Sequence, residues 1–171
     1  MEIQDITKYD NNIKRFHEQF NLPYDWRLLK AQLYQESRLD PEAVSPVGAC
    51  GLAQFMPKTW REYLAKCSYP PGIKPTDPYV SIHLCAHYMR DLLAQWKAPR
   101  PLQDKYNLAL ASYNAGLGNI LKAQKRANNA SLYNDIIIHL NRITGSDNAK
   151  ETKNYVRRIW MYYEILKGYQ D

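Results

Sequence analysis

Glu36 is the side chain in this sequence best placed to move a proton. Trp26, Leu29, Leu33 and Glu36 recur at i, i+3, i+7 and i+10, so the carboxylate rides beside the apolar stripe of a helix. Pro41 ends that helix soon afterwards, which puts Glu36 in its last turn. There the helix dipole does not favour a negative charge, and apolar neighbours desolvate it, so its pKa is expected to rise. A carboxyl still protonated near neutral pH is the general acid that glycosidic bond cleavage needs. Most glycosidases add a second carboxylate, and the candidates are Asp40 and Asp77. Each has a simpler explanation, Asp40 in a turn before a proline and Asp77 as a helix cap. His83 and His87 form an i, i+4 pair without an HExxH glutamate or a third acidic ligand, so no metal site and no cofactor are expected. A satisfied or surface histidine pair is the simpler reading.

Around Glu36 the residues Ser37, Pro41, Ala43, Ser45, Gly48, Ala49, Gly51, Leu52, Gln54, Met56, Pro57 and Thr59 stand at fixed spacing. This block resembles the first signature of the soluble lytic transglycosylase family, whose fold is related to goose-type lysozyme and which cleaves peptidoglycan glycan strands. Asp77-Pro78 through Leu93 resembles the middle block, with Ser81 where the family usually has Asn. Tyr113-Asn114-Ala115-Gly116 resembles the third block, with Leu117 where proline is commoner, and Glu151 to Val156 resembles the last.

The resemblance implies a mainly α, lysozyme-like (goose-type) helical domain with little or no β structure, spanning residues 1–171 as a single domain. It implies that Glu36 protonates the oxygen between N-acetylmuramic acid and N-acetylglucosamine, then acts as base while the muramic acid C6 hydroxyl attacks C1, giving a 1,6-anhydro end. The alternative is a lysozyme-type muramidase that cleaves the same bond with water. Ser37, Ser45, Gln54 and Met56 would line the glycan site, joined by Tyr113, Asn114, Glu151 and Tyr155, with the Tyr155 hydroxyl near Glu36. Core packing is the competing role for Tyr155, since Ile159, Tyr162 and Leu166 share its face.

Several elements must hold these residues. An amphipathic helix over 10–20 carries Ile13, Phe16 and Phe20, with Asp10 as its cap, and Asp25 caps the helix that reaches Glu36. Ser45 to Gly51 is a loop of small residues able to approach a ligand closely. A short helix covers 59–67, and a longer one after Asp77 presents Ile82, Ala86, Met89, Leu93 and Trp96. A buried helix over 104–115 closes at Gly116. Helices near 120–127 and 131–140 follow, and a final one opens at Glu151 and reaches about Lys167.

Composition sets wider limits. Apolar residues at 45% and aromatics at 12% describe a globular chain, and fourteen tyrosines offer faces for sugar rings. The net charge is +6, and the stretch after residue 118 holds nine Lys and Arg against five Asp and Glu. Such a surface suits a polyanion, and the resemblance selects the wall over nucleic acid. Three cysteines cannot all pair within the chain, so reduced, buried thiols are expected. No apolar run reaches membrane-spanning length and no signal peptide is seen in MEIQDITKYDNNIKRF. The expectation is a phage-type monomer, made in the cytoplasm, that reaches the wall through a holin or as part of a virion.

Overall fold

The computed structural model describes residues 6–168. Among them every regular element is a helix, and β structure is limited to two isolated bridges, Val44 with Cys50 and Cys50 with Phe55. The chain resolves into two compact units, residues 1–88 with 159–171, and residues 89–158.

The first unit holds α1 (Asp10–Gln19), α2 (Arg27–Ser37), α3 (Pro57–Lys66), the start of α4 (Pro78–Gln95) and the end of α9 (Ser146–Lys167). Ile13 and Phe16 on α1, and Leu28, Leu29 and Leu33 on α2, are buried as their spacing predicts. Asp10 differs from expectation. It lies inside α1, and its carboxylate sits 2.8 Å from the Lys30 ammonium. Lys30 is 2% exposed, so the acid is needed to neutralise a buried cation and is not spent on a backbone cap. Asp25 does cap α2, accepting from the Arg27 amide at 2.9 Å. Asp77 caps α4 in the same way, accepting from Val80 N at 2.9 Å.

The second unit is built on α5 (Leu102–Ala115), where Tyr106 and Leu108 to Ser112 are buried. α5 packs on α6 (Leu117–Arg126) and α7 (Tyr133–Ile137), and α6 also meets α8 (Asn141–Thr144). Gly116, at φ 86°, makes the break between α5 and α6. Asp104 reaches from α5 to accept the Tyr133 amide at 2.8 Å, fixing where α7 begins. The helix expected over 131–140 is therefore shorter, and α8 follows as a separate turn. The final helix starts at Ser146 and not at Glu151. Gly145, at φ 85°, ends α8 immediately before it, so the chain re-enters helix five residues earlier than the sequence block suggested.

Candidate functional site

Glu36 is half-buried one residue before the end of α2. The helix stops because Arg38 and Leu39 both take left-handed backbone, at φ 58° and 60°. Two consecutive non-glycine residues there store strain of about 1–3 kcal/mol each. The turn is held from both sides. Ser37 Oγ donates to Leu52 O at 2.9 Å and lies 3.3 Å from Leu33 O, joining the end of α2 to the following loop. The Arg38 guanidinium donates to the Tyr162 hydroxyl at 2.7 Å and stacks over Tyr34, 4.6 Å from the ring centre. Asp40 Oδ1 accepts from the Glu42 amide at 2.9 Å, which is the turn role anticipated for it.

The loop of small residues is a hydrogen-bonded knot. Cys50 and Phe55 exchange both backbone bonds at 3.1 Å, Gly51 N donates to Ala43 O at 2.9 Å, and Ser45 Oγ accepts from Ala49 N at 3.0 Å. Gly51, at φ 79°, could not carry a side chain, because a Cβ would stand 2.0 Å from Pro75 O. Its smallness thus admits another segment of backbone. Gly48 has nothing within 4 Å of that position and faces open space. Ser81 Oγ, buried on α4, accepts from Ala53 N at 3.2 Å and anchors the knot.

Gln54 is left-handed at φ 49°, and its Nε2 lies 3.0 Å from both Ala43 O and Gly51 O. Two carbonyl partners fix the amide orientation and use both hydrogens, so only Oε1 faces other partners. Met56 begins the approach to α3 and is exposed. Glu36, Ser37, Ser45, Gln54 and Met56 therefore all belong to one short strained segment of the first unit.

Tyr113, Asn114, Glu151 and Tyr155 belong to the second unit. Asn114 and Glu151 are exposed, Tyr113 is half-buried and Tyr155 is buried. Asn114 and Glu151 share a hollow of about 200 Å³ with Asn119, Thr144, Asn148 and Thr152. Thr152 Oγ1 donates to Asn114 Oδ1 at 2.7 Å, a bond between the third and the last sequence block.

A family model described as the Transglycosylase SLT domain matches residues 12–137. The chain belongs to the SLT family. It is 29% identical over 180 residues to the membrane-bound lytic murein transglycosylase F of Photobacterium profundum, covering 96% of this chain and 33% of that protein. To its counterpart in Alcanivorax borkumensis it is 32% identical over 176 residues, covering 94% and 36%. Among solved structures it is similar to an inactive mutant of the lytic transglycosylase Slt of Pseudomonas aeruginosa, with TM-score 0.74, 27% identity and coverage of 94% and 24%. The 70-kDa soluble lytic transglycosylase of Escherichia coli gives TM-score 0.71 at 25% identity, with coverage of 95% and 25%. The chain thus spans about a third of the length of the relatives it matches and a quarter of those structures. The mainly helical, lysozyme-like fold expected from the sequence is the fold found.

In this SLT domain the histidine pair is satisfied, the simpler of the two roles its spacing allowed. His83 and His87 are held by side chains brought from elsewhere, His83 Nδ1 by the Tyr69 hydroxyl at 2.7 Å and His87 Nδ1 by Cys67 Sγ at 2.9 Å. The three cysteines carry no disulfide, and Cys85 is buried while Cys50 and Cys67 are half-buried. Asn119 and Asn148 line the polar hollow without belonging to any quoted block. Only their position three or four residues from block residues on a helix, Asn148 before Glu151 and Thr152, could have signalled them. No helix among the described residues is long and apolar enough to cross a membrane.

Proposed function

We propose that this SLT domain is the catalytic domain of a peptidoglycan lytic transglycosylase, cleaving the β-1,4 bond between N-acetylmuramic acid and N-acetylglucosamine. The observation that carries the reading is the family match over residues 12–137, which encloses Glu36 on its strained turn. Glu36 gives its proton to the bridging oxygen. It then accepts a proton from the muramic acid C6 hydroxyl as that oxygen bonds to C1, closing a 1,6-anhydro ring. The site carboxylate ends as it began and no water is consumed. The inactive mutant of the Pseudomonas aeruginosa Slt carries a Glu→Gln exchange, which supports an essential glutamate in this kind of reaction.

Rigidity around Glu36 supports this assignment, since acid–base catalysis depends on placing one carboxyl to within about half an ångström. Gln54 contributes an acceptor to the glycan, Ser45 and Met56 line its path, and Tyr113, Asn114, Glu151 and Tyr155 add further contacts. Asp40 accepts within a backbone turn and Asp77 caps α4, which favours transglycosylation over a lysozyme reaction needing a second free acid. Residues 1–171 act in this reading as one monomeric domain. Phage delivery through a holin or virion extends the proposal to location, and lysis that depends on a co-expressed holin tests it. Mass analysis of products from purified sacculi tests the chemistry: anhydromuramic ends, lighter by one water than reducing ends, are expected. Reducing ends alone would replace the transglycosylase with a muramidase.

A further inference from the structure

The Glu36 mechanism makes no use of the three cysteines, and one of them has a base beside it. Cys67 follows the last turn of α3, and its Sγ lies 2.9 Å from Nδ1 of His87 on α4. Both side chains are half-buried, and both lie in the first unit. Two rings hold the imidazole in place. Phe20 stacks on it, with centres 5.0 Å apart and planes at 18°, and Tyr63 meets it edge-on at 5.4 Å. Nδ1 is thereby kept against the sulfur.

The setting of Cys67 otherwise opposes a thiolate. At the C-terminal end of a helix the dipole disfavours negative charge, and partial burial strips water from it. An adjacent base reverses that balance, because the imidazole takes the proton and the thiolate gains an imidazolium at contact distance. Cys50 offers the contrast. It is also half-buried, but its Sγ faces Gly48 O at 3.5 Å, a carbonyl that does not take up a proton at neutral pH. Cys85 on α4 is 0% exposed and shielded from reagents in the folded chain.

From this pairing we propose that Cys67 is a site of reversible covalent modification by small disulfides, with His87 as its base. With Nε2 carrying the ring hydrogen, Nδ1 accepts the thiol proton. The Cys67 sulfur attacks one sulfur of a disulfide R–S–S–R, forming a mixed disulfide as the original S–S bond breaks. The departing R–S⁻ takes the proton from His87 and leaves as R–SH. Cys67 is oxidised and one half of the reagent is reduced, so no further oxidant is needed. The mixed disulfide replaces a contact that joins the end of α3 to α4, and excess free thiol reverses the exchange. The assignment is independent of the lytic reading, since Glu36 takes no part in it.

Exposing the full chain to hydroxyethyl disulfide at neutral pH, with peptide mass mapping over time, tests this. Cys67 is expected to form the mixed disulfide about tenfold or more faster than Cys50, while Cys85 stays unmodified. Dithiothreitol should restore the starting mass. His87→Gln removes the base, so it should slow Cys67 about tenfold or more and leave Cys50 unchanged. Cys85 reports on folding in that variant. If Cys85 stays protected, a slower Cys67 measures the lost base; if Cys85 opens, the order of Cys67 and Cys50 in the wild type decides. Reaction of Cys67 no faster than Cys50 in the wild type would overturn the assignment. So would an unchanged Cys67 rate in a His87→Gln protein whose Cys85 is still protected.

Discussion

The two units differ in how their sequence is spent. The first carries eleven Lys and Arg against twelve Asp and Glu, close to neutral, while the second is at net +7. In the first, charges are used internally: Lys30 with Asp10, Arg38 with Tyr162, and Asp25 and Asp77 as caps. Its loop between α2 and α3 carries left-handed Arg38, Leu39 and Gln54 within seventeen residues. In the second, Lys122, Lys125 and Arg126 on α6, and Lys150, Lys153, Arg157 and Arg158 on α9, face solvent. Strain and internal bonding concentrate around the carboxyl that the proposed mechanism must hold still. Uncompensated charge accumulates on the unit that, in the same proposal, would meet a large anionic surface.

Removing the proton of the first unit should produce the largest effect. Glu36→Gln keeps shape and packing, so the melting temperature should hold while transglycosylase activity on sacculi falls by about a thousandfold or more. Binding to sacculi, which does not need the transferable proton, should be unchanged. Near-normal turnover in this variant would end the acid–base role of Glu36.

Next comes the knot itself. Gly51→Ala places a methyl against Pro75 O and forces a side chain into left-handed backbone. The expected loss is about 2–4 kcal/mol of stability, read by denaturant unfolding. Activity should fall further than the folded fraction does, because the same knot anchors Ser37 through Leu52. Activity that simply tracks the folded fraction would show that the knot supports the fold without tuning the site.

The second unit has a smaller and salt-dependent signature. Reversing Lys122, Lys125 and Arg126 to Glu should weaken sacculus binding about tenfold at low salt, and little at high salt, where the Debye length is ~3 Å at 1 M. Cleavage of a short soluble glycan should barely change. Equal salt sensitivity on both substrates would remove the steering role.

These contrasts were unequally legible in the sequence. The position of Glu36 beside Leu29 and Leu33 followed from apolar spacing, and the α4 stripe from Ile82 to Trp96 is buried as expected, because both are local periodicities, whereas the stop of α2 at left-handed Arg38 and Leu39, ahead of Pro41, was not legible. Asp10 was misassigned because capping is a local signal and its partner Lys30 lies on another helix. The resemblance put Gln54 at the glycan, and nothing in the chain order shows that Ala43 O and Gly51 O consume both of its donors. Likewise Asn119 and Asn148 come together only through tertiary folding, and the start of α9 was hidden behind a family block that begins inside the helix.

Acidification should separate the units by the smallest margin. His83 on α4 stacks on Phe16 and Phe20 of the α1 region, with ring centres 4.6 and 5.3 Å away. Gln19 Nε2, a donor, lies 3.3 Å from His83 Nε2, so Nδ1 carries the hydrogen and donates to the Tyr69 oxygen. Burial, then the neighbouring His87 and Arg15, hold the His83 pKa below 6.5. His17 is lowered too, chiefly by burial. A depressed histidine favours the neutral fold, so its contribution is complete above pH 6.5 and declines below it, where the unfolded chain takes up the proton first. Melting temperature should therefore fall by a few degrees between pH 7.5 and 5, at about 2–4 °C per kcal/mol for a chain of this size. Amide exchange should locate the loss in α1, leaving α5 protected. His83→Gln should flatten the slope without abolishing it, because His17 remains. If α1 keeps its protection at pH 5, or the slope is untouched in His83→Gln, the packing of α1 on His83 does not sense protons.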